Sequence, residues 1–525
     1  MNYNLAAPFY ENSSKYADNF ALSFAERSVS YSQLRRLVQP IGNWLRQKAD
    51  GEVGRVGILA SRSIETYAGI LGTCWAGGSY VPISPKLPED RLVQLLERVD
   101  LQSLIVDANS VRLLSDRLLR ACPANILAPG VSRAAQGTAL LSSPSIFGSE
   151  SLATFVESDK PVSVSAEHIG YIEFTSGTTG VPKGVMIPAG GVAHFLKVMR
   201  SRFDIGAQDR IAGVAETTFD ISVFDMFMAW SCGATLHVVP ATQVMAPLQC
   251  IQQNNVTVAF TVPSVAVCMN RMKFLATGSM PSLKYSLFSG EPLPVSAALA
   301  WQKAASNSIV ENLYGPTEAT VVCTGQRFFG EENATPSRGV VAIGTPFPGM
   351  ETAIIDSSLR PLPREEQGEI VISGPQLSSG YFADPVQTSE RFLNISGKRW
   401  YRTGDLGIQD AAGTFHHLGR IDNQVKVRGM RVELEEIEAH LREIYQTDSV
   451  AALAWPIEHG SASGIVAFVG SDAHVEDSRQ RVRLKECLPS YMVPTSVCYV
   501  EAIPLNANGK VNRRALPSLI TKKAS

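Results

Sequence analysis

The stretch YIEFTSGTTGVPKGV at residues 171–185 carries the strongest signal for the fold and the chemistry of this chain. A strand-like segment, YIEF (171–174), runs directly into a loop of hydroxyl and glycine residues. Glycines let backbone N–H groups converge on an anion, and hydroxyls and a lysine add further donors. The spacing departs from G-x-x-x-x-G-K-[ST], so the common P-loop is not expected. The stretch predicts a phosphate-binding loop made of Thr175, Ser176, Gly177, Thr178, Thr179, Gly180 and Lys183.

Short apolar runs alternate with amphipathic segments on the N-terminal side of this loop. RVGILA (55–60) and SLIVDA (103–108) fit buried strands. SIETYAGILGTCWAG (63–77) and PEDRLVQLLERV (88–99) carry apolar residues at helical spacing. This alternation predicts an α/β fold with parallel sheets covered by helices.

The C-terminal part changes character after GTFHHLGRID (413–422). A charge-dense helical segment, VELEEIEAHLREIY (432–445), is followed by an apolar strand, GIVAFVG (464–470). A chain of 525 residues is too long for one ordinary core. We therefore expect a large N-terminal domain of β-sheets packed with helices, residues 1–421. A small, mobile α+β lid domain, residues 422–525, is expected to follow it.

Composition excludes several classes of function. The formal net charge of -2 leaves no basic excess for binding nucleic acid. The eight cysteines form no C-x-x-C pair, so neither a zinc site nor a disulfide framework is indicated. The N-terminus lacks the pattern of a signal peptide, and no run approaches the roughly 20 apolar residues that span a bilayer. A cytoplasmic protein without nucleic-acid or membrane partners is expected.

Further motifs occur along the chain in a fixed order around the loop. They are AGGSYVPISP (76–85), FDISVFDMF (219–227), NLYGPTEAT (312–320), GEIVISGPQLSSGY (368–381), YRTGDLG (401–407), GRIDNQVKVRGMRVELEEIE (419–438) and PLNANGKVNRRAL (504–516). The set resembles the adenylate-forming superfamily of acyl-CoA ligases, luciferases and adenylation domains of nonribosomal peptide synthetases. It covers the chain nearly end to end. The resemblance implies a ligase that uses ATP and Mg²⁺ to form an acyl-adenylate.

The resemblance also assigns roles to individual residues. Lys510 would be catalytic, because its ammonium would bridge the substrate carboxylate and the α-phosphate in the transition state. Glu318 would be the hard oxygen ligand for Mg²⁺, and Thr317 would contact phosphate. Asp422 would be the hinge about which the small domain rotates. The residues implied to bind adenine and ribose are Gly290, Glu291, Asn312, Tyr314, Asp405 and Arg420.

Asp220 resembles the aspartate that pairs with the ammonium of an amino-acid substrate, since a desolvated ammonium needs a partner charge. The other positions implied to line the substrate pocket are Ile221, Phe224, Thr261, Leu287, Ser289, Leu313, Val321 and Val322. No charged residue is expected there beyond Asp220 and Lys510. The set favours a small, uncharged amino acid, with proline first and serine, glycine, alanine or cysteine also possible.

The chain departs from the family pattern in two places, and two alternative functions stay open. IPAGG (187–191) stands where the family has an acidic residue and a histidine, so local contacts after the loop are expected to differ. The chain ends fifteen residues after Lys510 without a carrier module, so the expected acceptor is a separate phosphopantetheinylated peptidyl carrier protein. An acyl-CoA ligase is the main alternative, against which Asp220 discriminates. A non-catalytic scaffold is the other, against which the retained Lys510, Glu318 and Asp405 argue.

Overall fold

The computed structural model describes residues 1–49, 51–132, 146–152, 160–176, 182–458, 461–470, 477–505 and 511–521. Over these ranges the chain forms a large N-terminal domain with three sheets and a smaller C-terminal domain with two. The predicted fold class is therefore confirmed. Within the same ranges, no helix is long and apolar enough to cross a bilayer.

The first sheet of the large domain supplies many of the side chains of the site. Its nine described strands, in order across the sheet, are Thr345–Pro346, Thr324–Arg327, Ile309–Tyr314, Tyr285–Phe288, Val258–Thr261, Arg210–Gly213, Thr235–Val238, Phe20–Ser23 and Ser28–Ser30. The central strands are parallel and mostly buried, with Val258, Tyr285 and Ile309 in register. Their carboxyl ends share one edge of the sheet, where ligands of α/β proteins usually bind.

The second sheet contains the strand that leads into the predicted phosphate loop. Its eight described strands, in order, are Gly380–Tyr381, Lys183–Pro188, Ile169–Thr175, Ser79–Ile83, Arg55–Leu59, Ser103–Val106, Ile126–Leu127 and Ile146–Phe147. The strands on either side of the loop pair antiparallel, with Thr175 opposite Lys183. The two described ends of the predicted loop therefore lie side by side on the sheet.

Helices pack on these sheets, as the alternating pattern predicts. Ile64–Trp75 contacts three parallel strands of the second sheet and begins with a capping box at Ser63. Glu89–Val99 buries its apolar face in the same domain. The other large-domain helices are Ala7–Lys15, Tyr31–Lys48, Asp116–Ala121, Ala189–Arg202, Leu248–Gln253, Pro263–Arg271, Val295–Ala304 and Pro385–Arg391. One further helix runs as Ile221–Val223, widens to a π-helix over Phe224–Met228 and ends as Ala229–Cys232.

A third sheet holds the pair of residues predicted to bind ribose. Its described strands are Glu351–Ile355, Gln367–Ser373, Lys398–Gln409 and Phe392–Ile395, with Phe415–Arg420 paired to Lys398–Gln409. Asp405 and Arg420 are opposite each other in the antiparallel pair. The ladder therefore brings these two side chains together although fifteen residues separate them.

The small domain has its own sheets and its own core. Its strands are Met430–Glu433, Gln424–Val427, Ser461–Ala462 and Ile457–Glu458 in one sheet, and Val450–Ala454, Ile465–Gly470 and Ser496–Val500 in the other. Its helices are Leu434–Tyr445, Asp477–Cys487 and Pro517–Thr521. The buried core residues of the large domain extend to Phe415, and those of the small domain begin at Val427. The boundary between residues 421 and 422 stays a prediction.

Candidate active site

A cavity of about 430 Å³ lies where the two domains meet. It gathers most of the side chains that the sequence assigns to one site. These are Thr175, Ser176, Asp220, Ile221, Ser289, Gly290, Glu291, Asn312, Leu313, Tyr314, Thr317, Val321, Asp405, Arg420 and Asp422. They come from all three sheets of the large domain and from the connection to the small domain.

Asp405 is the centre of a polar cluster at one end of the cavity. Its carboxylate accepts hydrogen bonds from the Tyr314 hydroxyl at 2.6 Å, from Arg420 at 2.8 Å and from His417 at 3.3 Å. Burial would raise the pKa of Asp405, but Arg420 and His417 outweigh it and hold that pKa well below its usual value. The group is therefore an ionised acceptor with two oxygens, suited to a pair of hydroxyls.

Arg420 extends this cluster toward the small domain. Its guanidinium forms two parallel hydrogen bonds to Asp422, at 2.8 and 2.6 Å, in addition to its bond to Asp405. The fork geometry of Arg suits such bidentate pairing. The predicted hinge residue is thus tied directly to the predicted ribose site.

Asn312 presents an acceptor atom to the same cavity. Its side-chain NH₂ donates to the carbonyl oxygens of Val341, at 3.2 Å, and Ala342, at 2.8 Å. Its Oδ1 atom is buried and has no hydrogen-bond partner among the described residues. A buried acceptor left unpaired costs free energy, so this atom is suited to a ligand N–H group.

Asp220 directly precedes the helix that contains the π-helical turn, a feature common at functional sites. It is 6% exposed, and its Oδ2 accepts a hydrogen bond of 2.7 Å from the hydroxyl of Thr317. Burial raises the pKa of Asp220, while the hydrogen bond from Thr317 and the charge of Lys426 act in the opposite direction. A buried carboxylate of this kind is stabilised by an incoming cation.

The backbone beside the pocket is strained. Thr320 and Val321 both have positive φ, at 55° and 67°, which is rare for β-branched residues. The buried amide of Gln376 lies within hydrogen-bond distance of three carbonyl oxygens, at 3.1 Å from Ala319, 3.3 Å from Thr320 and 2.8 Å from Val322. Gln376 therefore holds the strained turn that carries Val321.

Four predicted pocket residues do not line the cavity. Phe224, Leu287 and Val322 are fully buried in the main core, where Phe224 packs edge-on against Phe260. Thr261 lines a neighbouring cavity of about 340 Å³. Phe224 lies on the helix that begins at Ile221, and Leu287 lies on the strand that ends directly before Ser289, so both are close in sequence to residues that do line the cavity.

The small domain contacts the predicted phosphate and metal residues. Arg431 donates to both carboxylate oxygens of Glu318, at 3.1 and 3.0 Å, and Glu318 also accepts from the Tyr381 hydroxyl. Burial would raise the pKa of Glu318, but Arg431 and Tyr381 outweigh it and lower that pKa to about 2. Glu318 is therefore an ionised carboxylate that already has a cationic partner in this domain arrangement.

Other contacts close the same interface. The Ser176 hydroxyl donates to the carbonyl of Arg431 at 2.8 Å, and the backbone N–H of Gly429 donates to Glu291 at 2.6 Å. Lys183 lies 3.8 Å from the carboxylate of Glu433. Predicted nucleotide-binding residues thus hold the small domain in place here.

Sequence reasoning missed one acidic and four basic residues that line the cavity, which are Glu173, Arg338, Lys426, Arg431 and Arg513. Lys426 lines it from the small domain, close enough to Asp220 and Asp405 for both charges to act on its pKa. Glu173 lines it from the strand before the phosphate loop and is 3% exposed. The expectation that Asp220 and Lys510 are the only charged residues among the substrate-pocket positions stays a prediction. The alternation of YIEF predicts that Glu173 lies on the same strand face as Tyr171. It does not predict what packs against that face.

Five predicted site residues fall outside the described residues. They are Gly177, Thr178, Thr179, Gly180 and the catalytic candidate Lys510. Their roles stay predictions.

Comparison with known proteins agrees with this geometry. The family model "AMP-binding enzyme" matches residues 9–382. Tyrocidine synthase 3 of Brevibacillus parabrevis is 33% identical over 516 residues, which are 97% of this chain and 8% of that protein. A dimodular nonribosomal peptide synthase of Bacillus subtilis (strain 168) is 30% identical over 510 residues, 95% of this chain and 20% of that protein. The chain thus spans only a small part of these curated relatives.

A solved structure is similar over nearly the whole length of both chains. It is the adenylation domain AlmE of Vibrio cholerae in complex with glycyl-adenosine-5'-phosphate, with a TM-score of 0.87 and 29% identity. The match covers 99% of this chain and 98% of that one. The chain belongs to the AMP-binding enzyme family. It is an adenylate-forming ligase of the amino-acid-activating kind found in nonribosomal peptide synthetases, and it uses ATP.

Proposed function

We propose that the chain activates a small, uncharged amino acid with MgATP, releases pyrophosphate and retains the aminoacyl-adenylate. The aminoacyl group then passes to the phosphopantetheine thiol of a separate carrier protein in the cytoplasm. The observation that carries the proposal is Asp220, a buried carboxylate in the cavity that also holds the predicted nucleotide residues. Acyl-CoA ligases acting on fatty or aryl acids have no ammonium for such a group to bind.

The residues at the nucleotide end of the cavity are suited to binding adenosine. The unpaired Oδ1 of Asn312 would accept a hydrogen bond from the exocyclic amine of adenine. The ionised Asp405 would accept from the two ribose hydroxyls, with Arg420 holding it in place. The Oδ1 of Asn312 and the carboxylate oxygens of Asp405 can each accept a further hydrogen bond beyond those they accept within the protein.

Mg²⁺ fits the chemistry of Glu318, although no group of three His, Cys, Asp or Glu residues among those described could hold a metal alone. Mg²⁺ commonly binds through one or two carboxylates together with substrate phosphates. When bound, it would neutralise the charge that develops on the phosphates. Arg431 now neutralises Glu318, so metal binding would require the small domain to withdraw this arginine.

The adenylation step would use residues from both domains. A carboxylate oxygen of the amino acid attacks the α-phosphorus, and the bond to the departing pyrophosphate breaks. Lys510 would stabilise the charge on the carboxylate and the α-phosphate, an effect worth about 3–4 kcal/mol for one well-placed donor.

The substrate side chain would lie against Ile221, Leu313 and Val321, with Ser289 as a polar neighbour. Burial and the charge of Asp220 raise the pKa of Glu173 well above its usual value, which disfavours the charged form of its carboxyl group. Asp220 is therefore the group assigned to the substrate ammonium. The aliphatic lining of Ile221, Leu313 and Val321 supports an uncharged side chain, with proline first.

The decisive experiment is amino-acid-dependent ATP–pyrophosphate exchange over the standard amino acids and pipecolate. Graded activity with proline, alanine and glycine is the expected result, since one methylene in an apolar pocket discriminates by only about 10–200-fold. A steep preference for serine or threonine would assign specificity to hydroxyl contacts. Strong activity with arginine, glutamate or tryptophan would refute the assigned pocket.

A further inference from the structure

Glu173 is a buried carboxyl group in the cavity to which no role has been given. It lies on the strand Ile169–Thr175, two residues before the predicted phosphate loop begins. Its exposed fraction is 3%, and it lines the cavity shared with Asp220. Within the described ranges, no basic side chain forms an ion pair with it. A buried carboxyl group without an ion-pair partner among the described residues is costly, so its presence in the cavity favours a ligand contact.

The direction of the Glu173 side chain follows from strand alternation. Ile172 and Phe174 pack in the core beneath the second sheet, whereas Tyr171 belongs to the main core that includes Ile221, Leu313 and Val321. Side chains two residues apart share one face of a strand, so Glu173 lies on the face of Tyr171. It therefore faces the same side as the substrate pocket and reaches the cavity there.

The position along the strand narrows which part of a substrate Glu173 meets. Under the proposed function, the substrate carboxylate would meet the α-phosphate near the predicted phosphate loop, which begins at Thr175. In an α-amino acid the amino nitrogen is bonded to the carbon next to that carboxylate. The amino group, rather than a distant side-chain atom, is therefore the part within reach of the strand end. Asp220 lies close enough for its charge to act on Glu173.

Asp220 alone leaves donors of a bound amino group unpaired. A primary ammonium has three N–H donors, and the ammonium of a cyclic secondary amine such as proline has two. One Asp220 oxygen already accepts the Thr317 hydroxyl at 2.7 Å. A second acceptor beside Asp220 removes the cost of burying an unpaired N–H. A carboxyl group keeps an acceptor oxygen whether it is ionised or protonated.

Resting on the proposed function, we propose that Glu173 is a specificity residue that accepts a second hydrogen bond from the amino group held by Asp220. The pair selects amino acids with at least two N–H donors on the ammonium, which are primary amines and proline-like secondary amines. Amino acids whose nitrogen carries one N–H after protonation, such as N-methylproline and N,N-dimethylglycine, are rejected.

Two variants of Glu173 separate the effect of the hydrogen-bond acceptor from the effect of side-chain length. Glu173→Gln keeps an acceptor oxygen, whereas Glu173→Met keeps length without one. Tyr171→Phe is the matched control, because it removes a buried hydroxyl on the same strand face that has no partner among the described residues and does not line the cavity. Exchange is measured with proline against N-methylproline and with glycine against N,N-dimethylglycine. Binding of ATP and thermal melting are measured in parallel.

The expected result is a selective loss. Glu173→Met raises the KM for the amino acid about tenfold to a hundredfold, the range of a hydrogen bond to a charged group, while ATP affinity stays within about threefold. The preference for proline over N-methylproline falls at least about tenfold in the same variant, and Glu173→Gln retains most of it. The control resembles wild type.

Distinct outcomes separate this inference from the function on which it rests. If wild type shows no exchange with any amino acid, the proposed function fails, and the role of Glu173 fails with it. If wild type is active and Glu173→Met keeps its KM and its preference, only the role of Glu173 is refuted. The role of Glu173 would also be refuted if wild type prefers an amino acid with a second amino group in its side chain and Glu173→Met abolishes that preference. A uniform loss of ATP binding and melting temperature in Glu173→Met and Glu173→Gln would assign Glu173 to folding alone.

Discussion

Replacing Gln376 by leucine tests whether the strained turn at the pocket must be held from outside. Leucine keeps the buried volume but removes the amide that donates to the carbonyls of Ala319, Thr320 and Val322. An amide has two N–H groups, so two hydrogen bonds are lost and each leaves a buried carbonyl unpaired, at about 1–3 kcal/mol. The two lost bonds together cost about 2–6 kcal/mol. Relaxation of positive φ at both Thr320 and Val321 returns a similar amount, about 1–3 kcal/mol per residue, so we expect the turn to relax with little net change in the free energy of unfolding.

The functional consequence is larger for the amino acid than for ATP. Once relaxed, the turn no longer holds Val321 in the pocket wall, so the KM for the amino acid rises about tenfold or more, whereas the KM for ATP changes less than about threefold. Exchange kinetics with each substrate varied in turn measure both. His194→Leu is the control, because it removes the contact of 3.1 Å to the oxygen of Gln376 and leaves the three carbonyl contacts in place. A wild-type KM for the amino acid in Gln376→Leu would refute the proposed clamp.

Three further perturbations follow from the site. Lys510→Ala reduces adenylate formation about 10²–10³-fold but spares thioester formation from pre-made adenylate, and equal loss in both half-reactions would contradict its role. Asp422→Pro locks one backbone φ and impairs carrier loading more than pyrophosphate exchange, so carrier loading at the wild-type rate would exclude a hinge there. The pKa of Glu318 is lowered to about 2, so its pair with Arg431 stabilises the fold above pH 4.5 and is lost as the pH falls toward 2. Urea midpoints should therefore fall more steeply over this window in wild type than in Arg431→Met, and parallel curves would argue against the pair.

Sequence patterns predict the elements of the fold better than the way in which they meet. The apolar runs at 55–60 and 103–108 become parallel strands, because a buried strand reads as continuous apolar residues whatever its neighbours are. The helix predicted within 432–445 forms from Leu434 to Tyr445 for the same local reason. The number of sheets depends on long-range pairing, such as Asp405 opposite Arg420, which no local pattern reveals.

In the site, too, motifs predict single residues better than they predict which residues meet. Asp220, Asn312 and Asp405 reach one cavity, as their motifs imply. Lys426 could not be found in this way, because its place in the cavity depends on the orientation of the small domain. Glu173 was missed for a different reason: a strand pattern shows which residues share a face but not what that face meets.

The central claim, that an amino acid is the group activated, depends on Asp220. Its most direct test is ATP–pyrophosphate exchange by wild type and Asp220→Ala, with the preferred amino acid and with the analogue that lacks the amino group. Removing one partner of a buried charge pair costs about 3–5 kcal/mol. We expect the wild type to require the amino group, and kcat/KM for the amino acid to fall at least about a hundredfold in Asp220→Ala. An unchanged kcat/KM in that variant, or exchange by wild type with fatty or aryl acids and no amino acid, would contradict the account.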